Sequence, residues 1–164
     1  MLSPMIRIAT PADAEAVAEL VNAAFQVEAF FKIGDRTSAQ EIVDLMRDGE
    51  FLLLLEPGTR NREPGTVAGC VYLKCGGDRA YFGMLSIDPA MQGQGHGRTL
   101  IAAVEARARE RGCRFMDIHI VNLREELPGY YGRLGYIEQG TLPFSDSSRA
   151  SRPCHFIVMT KTLA

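Results

Sequence analysis

The sequence predicts a mixed α/β domain, and three observations carry that prediction. Segments of strand character and segments of helical periodicity succeed one another in the order β-αα-βββ-α-β-α-ββ. At the centre of the chain, residues 80–112 join an apolar strand to an amphipathic helix through Gly93, Gly95 and Gly97. The chain has 164 residues, enough to bury a core and short enough for one domain spanning all of it.

The first strand covers residues 5–9, with Ile6 and Ile8 alternating around Arg7. Thr10-Pro11-Ala12-Asp13 then opens a helix, with Thr10 as cap, Pro11 in the first turn and Asp13 near the positive end. Ala16, Val17, Leu20, Val21, Ala24 and Phe25 give that helix one apolar face. Residues 27–37 break the pattern and end in loop chemistry at Gly34-Asp35. Ser38 and Glu41 form a capping-box signature for a second helix through about Arg47, stopped by Gly49.

Residues 51–55 and 66–73 read as strands, joined by a charged loop over 56–65 with two Pro-Gly turn signals. Cys75-Gly76-Gly77-Asp78 turns the chain into the central strand, 81–87. Pro89 ends that strand by forcing Asp88 extended and removing a ladder donor. In the helix after the glycines, Leu100, Ile101, Val104 and Ala108 share a face, and Gly112 is its stop. Residues 115–121 form a strand with Ile118 and Ile120 on one face and His119 on the other. A short helix is expected over 130–134, then strands at 136–139 and 155–160, the last two joined by a polar, mobile link at 145–152.

A strand feeding a glycine turn and a helix start is an anion site. Glycines let the backbone approach closely, and the helix start adds N–H groups and roughly half a positive charge. A pyrophosphate suits it. A dinucleotide fingerprint fails, because Arg98 or Leu100 stands where a third glycine is required; a P-loop fails for lack of Gly-Lys-Ser/Thr.

Gln92-x-x-Gly95-x-Gly97, after Leu85-Ser86-Ile87-Asp88-Pro89, resembles the acetyl-coenzyme A signature of the GNAT (Gcn5-related) N-acetyltransferases. Downstream, Tyr131-Gly132-Arg133-Leu134-Gly135-Tyr136 is similar to a second block of that family. The resemblance covers residues 6–163. It implies one mostly antiparallel mixed sheet with helices on both faces, the cofactor lying where two central strands splay apart. It implies acetyl-coenzyme A as co-substrate, with Gln92, Gly93, Gln94, Gly95, His96, Gly97 and Arg98 at its pyrophosphate; His96, between two glycines, is expected to point outward. The backbone of Leu85, Ser86 and Ile87 would pair with the pantetheine arm as an added strand, and a bulge there would aim an N–H at the thioester oxygen.

Tyr131 matches the family tyrosine that protonates the departing thiolate; Tyr130 is expected to point elsewhere, adjacent helical residues lying about 100° apart. The sequence departs from the family pattern twice. Arg124 stands where an asparagine is often found, with Asn122 two residues earlier, and Tyr81 stands where some members carry a basic glutamate. Without a strand carboxylate, Glu28, His119 and His155 are the candidate distant bases. The resemblance places Glu28, Phe31 and Arg36 at the acceptor-binding helix pair, with Phe144 on the other wall; Tyr81 and His119 complete the candidate substrate set.

The net charge of −2, with both signs interspersed, excludes a polybasic nucleic-acid or membrane surface. The longest apolar run is too short for a bilayer and no secretory leader is visible, so a cytoplasmic location is expected. Cys70, Cys75, Cys113 and Cys154 show no metal or disulfide spacing, and no metal is expected. The predicted activity is acetyl transfer from acetyl-coenzyme A to a primary amine of a small molecule or peptide, by direct attack with Tyr131 as acid. A homodimer is compatible with it. Two alternatives stay open: a coenzyme A-binding sensor without turnover, and the same fold using a longer acyl donor.

Overall fold

A computed structural model describes residues 5–56, 65–144 and 147–163. The loop expected over 56–65 falls largely outside them. Seven strands form one sheet, in the order β1 (Met5–Ile8), β2 (Glu50–Leu55), β3 (Val67–Gly76), β4 (Arg79–Ile87), β5 (Phe115–Val121), β7 (His155–Thr162), β6 (Ile137–Pro143). Every pairing is antiparallel except β4 with β5. Helices α1 (Ala14–Ala24), α2 (Ala39–Leu45), α3 (His96–Glu110) and α4 (Leu127–Arg133) complete the fold.

The unbroken apolar run of β2 reports burial on both faces. Leu52 and Leu54 join Leu100, Ile101, Val104 and Ala108 of α3 in one core cluster. Phe51, Leu53 and Leu55 join Val17, Leu20 and Val21 of α1 and Ile42 of α2 in the other. Successive strand side chains point to opposite faces, so one strand anchors both helical layers. The predicted caps are present. The Thr10 N–H donates to Asp13 Oδ2 at 2.8 Å, and Ser38 Oγ accepts from the Glu41 N–H at 3.2 Å.

One feature of the sheet creates the site. β4 and β5 pair in parallel over three positions, Arg79 with Phe115 to Tyr81 with Asp117, and then separate. β4 runs on to Ile87 against β3, and β5 to Val121 against β7. The gap between them is a cleft.

Some boundaries differ from expectation. β3 continues through Gly76, leaving Gly77 and Asp78 as the turn, and α4 begins at Leu127 with Pro128 tolerated in its first turn. β6 runs to Pro143 rather than stopping at 139. The larger correction concerns the link before β7, expected to be mobile. Its described part is docked: the Ile33 N–H donates to the Arg149 carbonyl and the Ser151 N–H to the Phe31 carbonyl, each at 2.7 Å, around a bridge between Lys32 and Ala150. Composition showed the link's polarity; backbone partners at the far end of the sequence, in residues 31–33, decided its fate.

Candidate active site

The cleft has a volume of about 560 Å³ and is walled by β4, β5, α4 and the segment after α1. Its sharpest backbone feature is a bulge in β4. Cys70 pairs with Ser86 and Tyr72 with Gly83, so Met84 and Leu85 both oppose Val71. Met84 is the one non-glycine residue with positive φ, at 53°, among the described residues. A left-handed residue of this kind costs about 1–3 kcal/mol and persists only where its surroundings hold it. Ser86 does that holding: its hydroxyl, 1% exposed, donates to the Met84 carbonyl at 3.0 Å, and Cys70 Sγ approaches the same oxygen at 3.9 Å. In a trans peptide the carbonyl and the next N–H point oppositely, so the Leu85 N–H is aimed away from that packed side. Leu85 and Ile87 line the cleft; Ser86, whose backbone was expected beside the cofactor, does not line it, and its side chain secures the bulge from behind.

Beyond β4, Gln92 Nε2 donates to the Ile87 carbonyl at 3.3 Å and closes the strand end. Gly93 and Gly95 hold φ of +81° and +82°, and a Cβ at either would meet open space. The first ladder bond of α3 runs from the Thr99 N–H to the Gly95 carbonyl at 3.1 Å, which leaves the N–H groups of Gly97 and Arg98 ahead of the ladder. Gln94 and Arg98 are exposed beside them. His96 is corrected: it turns inward, is buried, and sets Nε2 3.1 Å from Glu56 Oε1. It is the first helical residue, so its side chain lies over the loop's packed side rather than its open one.

Tyr131 lines the cleft at 8% exposure, with its ring 6.2 Å from Phe82 and 5.8 Å from Tyr136. Burial, aided by Tyr130, pushes its phenol above the ordinary range. Tyr130 is also corrected. It stands 5.1 Å from Tyr131 in an edge-on contact and lines the same cleft. Its hydroxyl is the nearest atom to where a Gly97 Cβ would lie, at 3.8 Å. A wide cleft accommodates two directions about 100° apart, so α4 presents one phenol to β4 and the other to the glycine loop.

At the opposite end, Glu28 is 6% exposed and paired with Arg124 at 3.0 Å; Arg124 also holds Glu126 at 3.1 Å. The arginine at the expected asparagine position therefore ties the β5–α4 connection to the segment after α1. Asn122 is elsewhere, accepting from the His155 N–H at 2.8 Å, and His155 does not line the cleft. Arg36, Tyr81, His119 and Phe144 do line it. The Tyr81 hydroxyl would lie 2.4 Å from a Cβ on Gly83, so a glycine there makes room for the ring. His119 stands 4.9 Å from the Tyr81 ring, and burial lowers its pKa, partly opposed by Asp117. Phe31 is corrected: it is fully buried and outside the cleft.

The sequence matches the acetyltransferase (GNAT) family over residues 15–136. The chain belongs to the GNAT family. Structures similar to this GNAT chain include the ribosomal-protein-S18-alanine N-acetyltransferase of Escherichia coli, at 18% identity and TM-score 0.76, covering 99% of this chain and 95% of that one. A second is the PaiA N-acetyltransferase of Thermoplasma acidophilum in complex with coenzyme A, at 17% identity and TM-score 0.74, covering 98% and 99%. A third is YncA of Salmonella typhimurium with its cofactor acetyl-CoA, at 20% identity and TM-score 0.71, covering 99% and 95%. No match was found among curated protein sequences. At these identities the likeness is one of fold, and it agrees with the splayed mixed sheet.

Lys32, Met84 and Phe156 were missed by sequence reasoning and line the GNAT cleft. Phe156 was within reach, since β7 alternation puts it opposite Val121 in register. Lys32 carried a weak signal as the one cation inside an apolar stretch. Among the described residues, no group of three or more His, Cys, Asp or Glu is arranged to hold a metal, and no helix is long and apolar enough to cross a membrane.

Proposed function

We propose that this acyltransferase moves an acetyl group from acetyl-coenzyme A to a primary amine by direct attack within the β4–β5 cleft. The observation that carries the reading is the bulge at Met84 and Leu85, opening onto a cleft that reaches Gln92 and Tyr130 beside the glycine loop. The residues suit the co-substrate. Open backbone at Gly93, Gly95 and Gly97, with exposed Arg98, suits a pyrophosphate, and the free side of β4 from Leu85 to Ile87 suits the amide-bearing pantetheine arm.

The amine nitrogen attacks the thioester carbonyl carbon; a C–N bond forms and the C–S bond breaks. The Leu85 N–H is the donor for the oxyanion. His119 takes the amine proton: its lowered pKa leaves the imidazole neutral at pH 7, as a base must be. Tyr131 donates to the departing sulfur. Because burial raises the phenol above its reference near ~10, and a thiol sits near ~8.5, complete transfer is uphill. Tyr131 therefore acts first as a hydrogen-bond donor to developing thiolate and yields its proton late, with solvent resetting both groups. Glu28, tied to Arg124, positions the acceptor wall.

The test is an amine-library acetylation screen read by mass. An acetylated amine whose formation requires acetyl-coenzyme A supports the proposal. Coenzyme binding with no product from any amine would favour a sensor, and preferential use of succinyl-coenzyme A would move the acyl assignment.

A further inference from the structure

Two cations at the acceptor end of the cleft lack a carboxylate. Lys32 and Arg36 both line it, and among the described residues neither forms an ion pair. Lys32 Nζ lies 5.8 Å from the Phe144 ring centroid and Arg36 Cζ 5.4 Å from that of Phe25. Arg124 is already matched to Glu28, the single carboxylate in the lining. The wall thus carries three cations against one anion. Lys32 and Arg36 repel each other strongly enough that, after burial, Arg36 is the next cause holding Lys32 down to about 8; Arg149 adds to the push while Glu28 and Glu41 oppose it. Arg149 itself donates to the Asp35 carbonyl.

Unpaired like charges in a half-buried wall weaken a fold unless a ligand completes them. The donor's own anions do not serve. Its pyrophosphate belongs to the glycine loop at the other end, past Gln92 and Tyr130, and the pantetheine arm between is uncharged. The anion must come from the acceptor. The wall beside Lys32 is also fixed, because residues 31–33 are bonded to 149–151 and Phe144 lies over the ammonium. Phe144 and Phe156, 5.2 Å apart, add an apolar surface next to it.

We infer that the acceptor is a small amino-carboxylate, its carboxylate held between Lys32 and Arg36 and its amine directed toward Tyr81 and His119. The inference rests on the transferase reading and deepens it. A guanidinium takes a carboxylate through two parallel N–H bonds, and Lys32 supplies a second charge. Cations left without that partner discriminate against neutral analogues, which lose the bonds while the site retains its unpaired charge.

The experiment compares phenylalanine, methionine and glutamate with their amides and their decarboxylated amines, using acetyl-coenzyme A and thiol release. For at least one amino acid, kcat/KM should exceed that of its amide by tenfold or more. In Arg36→Gln, and separately in Lys32→Gln, the acid-to-amide ratio should fall toward one. The ratio is internal to each variant, so partial loss of folded protein does not distort it. Amides or amines used as well as every acid would overturn this inference and leave acetyl transfer standing. An acid preference unchanged in both variants would overturn the assignment to Lys32 and Arg36. Thiol release from no compound would overturn the inference together with the transferase reading for small amines.

Discussion

Removing the Tyr131 hydroxyl isolates one bond in the proposed mechanism. Tyr131→Phe keeps the ring and its contacts with Phe82 and Tyr136 and deletes one O–H. At 8% exposure, water does not easily replace it. A hydrogen bond to a charged group is worth about 1.5–3 kcal/mol. At 1.36 kcal/mol per decade, turnover should fall roughly ten- to 150-fold. Affinity for acetyl-coenzyme A should hardly move, because the bond strengthens only as the thiolate develops. Burial raises the Tyr131 pKa, so the phenol remains protonated throughout the working range. The wild-type kcat should therefore show no alkaline decline up to about pH 9.5, below even the unperturbed phenol value. Tyr130→Phe should instead weaken coenzyme binding by a few-fold with kcat maintained, since its hydroxyl lies at the glycine loop. Thiol-release kinetics across pH, with calorimetric affinities for both variants, make the comparison. Turnover of Tyr131→Phe within twofold of wild type, or an alkaline limb that vanishes in it, would refute the reasoning.

Other perturbations test other parts. If His119 is the base, log kcat/KM should steepen from slope one to slope two below its lowered pKa, one proton belonging to the amine and one to the imidazole; in His119→Gln the slope should stay at one. A persistent second proton in that variant would dismiss His119. Lys32→Met should raise stability at pH 7 by about 1 kcal/mol, a figure discounted for partial exposure. Lys32 is charged at pH 7 in both states, so its penalty is fully present there and disappears as pH rises from about 8 to 10.5; denaturant melts at pH 7 and 10.5 read the difference, and an equal gain at both would contradict it. Glu105→Ala should lose about 2–4 kcal/mol, or roughly 5–15 °C in Tm, because the buried carboxylate accepts from Tyr136 at 2.8 Å and Lys161 at 2.9 Å. A thermal melt within a degree or two of wild type would mean the network contributes no net stability.

How far the site was legible before the fold depended on the range of the forces involved. The glycine loop was legible because strand, turn and helix start are contiguous, and their chemistry is local. The place of Tyr131 in the cleft was legible from the resemblance, yet its partnership with Tyr130 was not, since the angle at which α4 meets the sheet is tertiary. His96 and Phe31 were misplaced for the same reason. A short segment shows which residues are polar or apolar, but its docking decides which of them turn inward. The splay was expected from resemblance alone. The bulge beside it, a left-handed Met84 held by Ser86 and Cys70, leaves no mark in composition, because methionine is not a residue that signals positive φ. Lys32 was hidden because its role depends on residues 149–151 being bonded beside it.

The central claim is that the start of α3 anchors the coenzyme beside the β4 bulge, and Gly97→Glu tests it most directly. Gly97 is the glycine to change. Gly93 and Gly95 sit at positive φ, where any side chain is strained, whereas a Cβ on Gly97 meets nothing closer than the Tyr130 hydroxyl at 3.8 Å. A carboxylate there would occupy the anion site and repel pyrophosphate without disturbing the core. The measurement is calorimetric titration of acetyl-coenzyme A into wild type and variant, with thermal melts of both unliganded proteins as the folding control. The account predicts an affinity loss of a hundredfold or more at nearly unchanged Tm. Equal affinities in two folded proteins would contradict it.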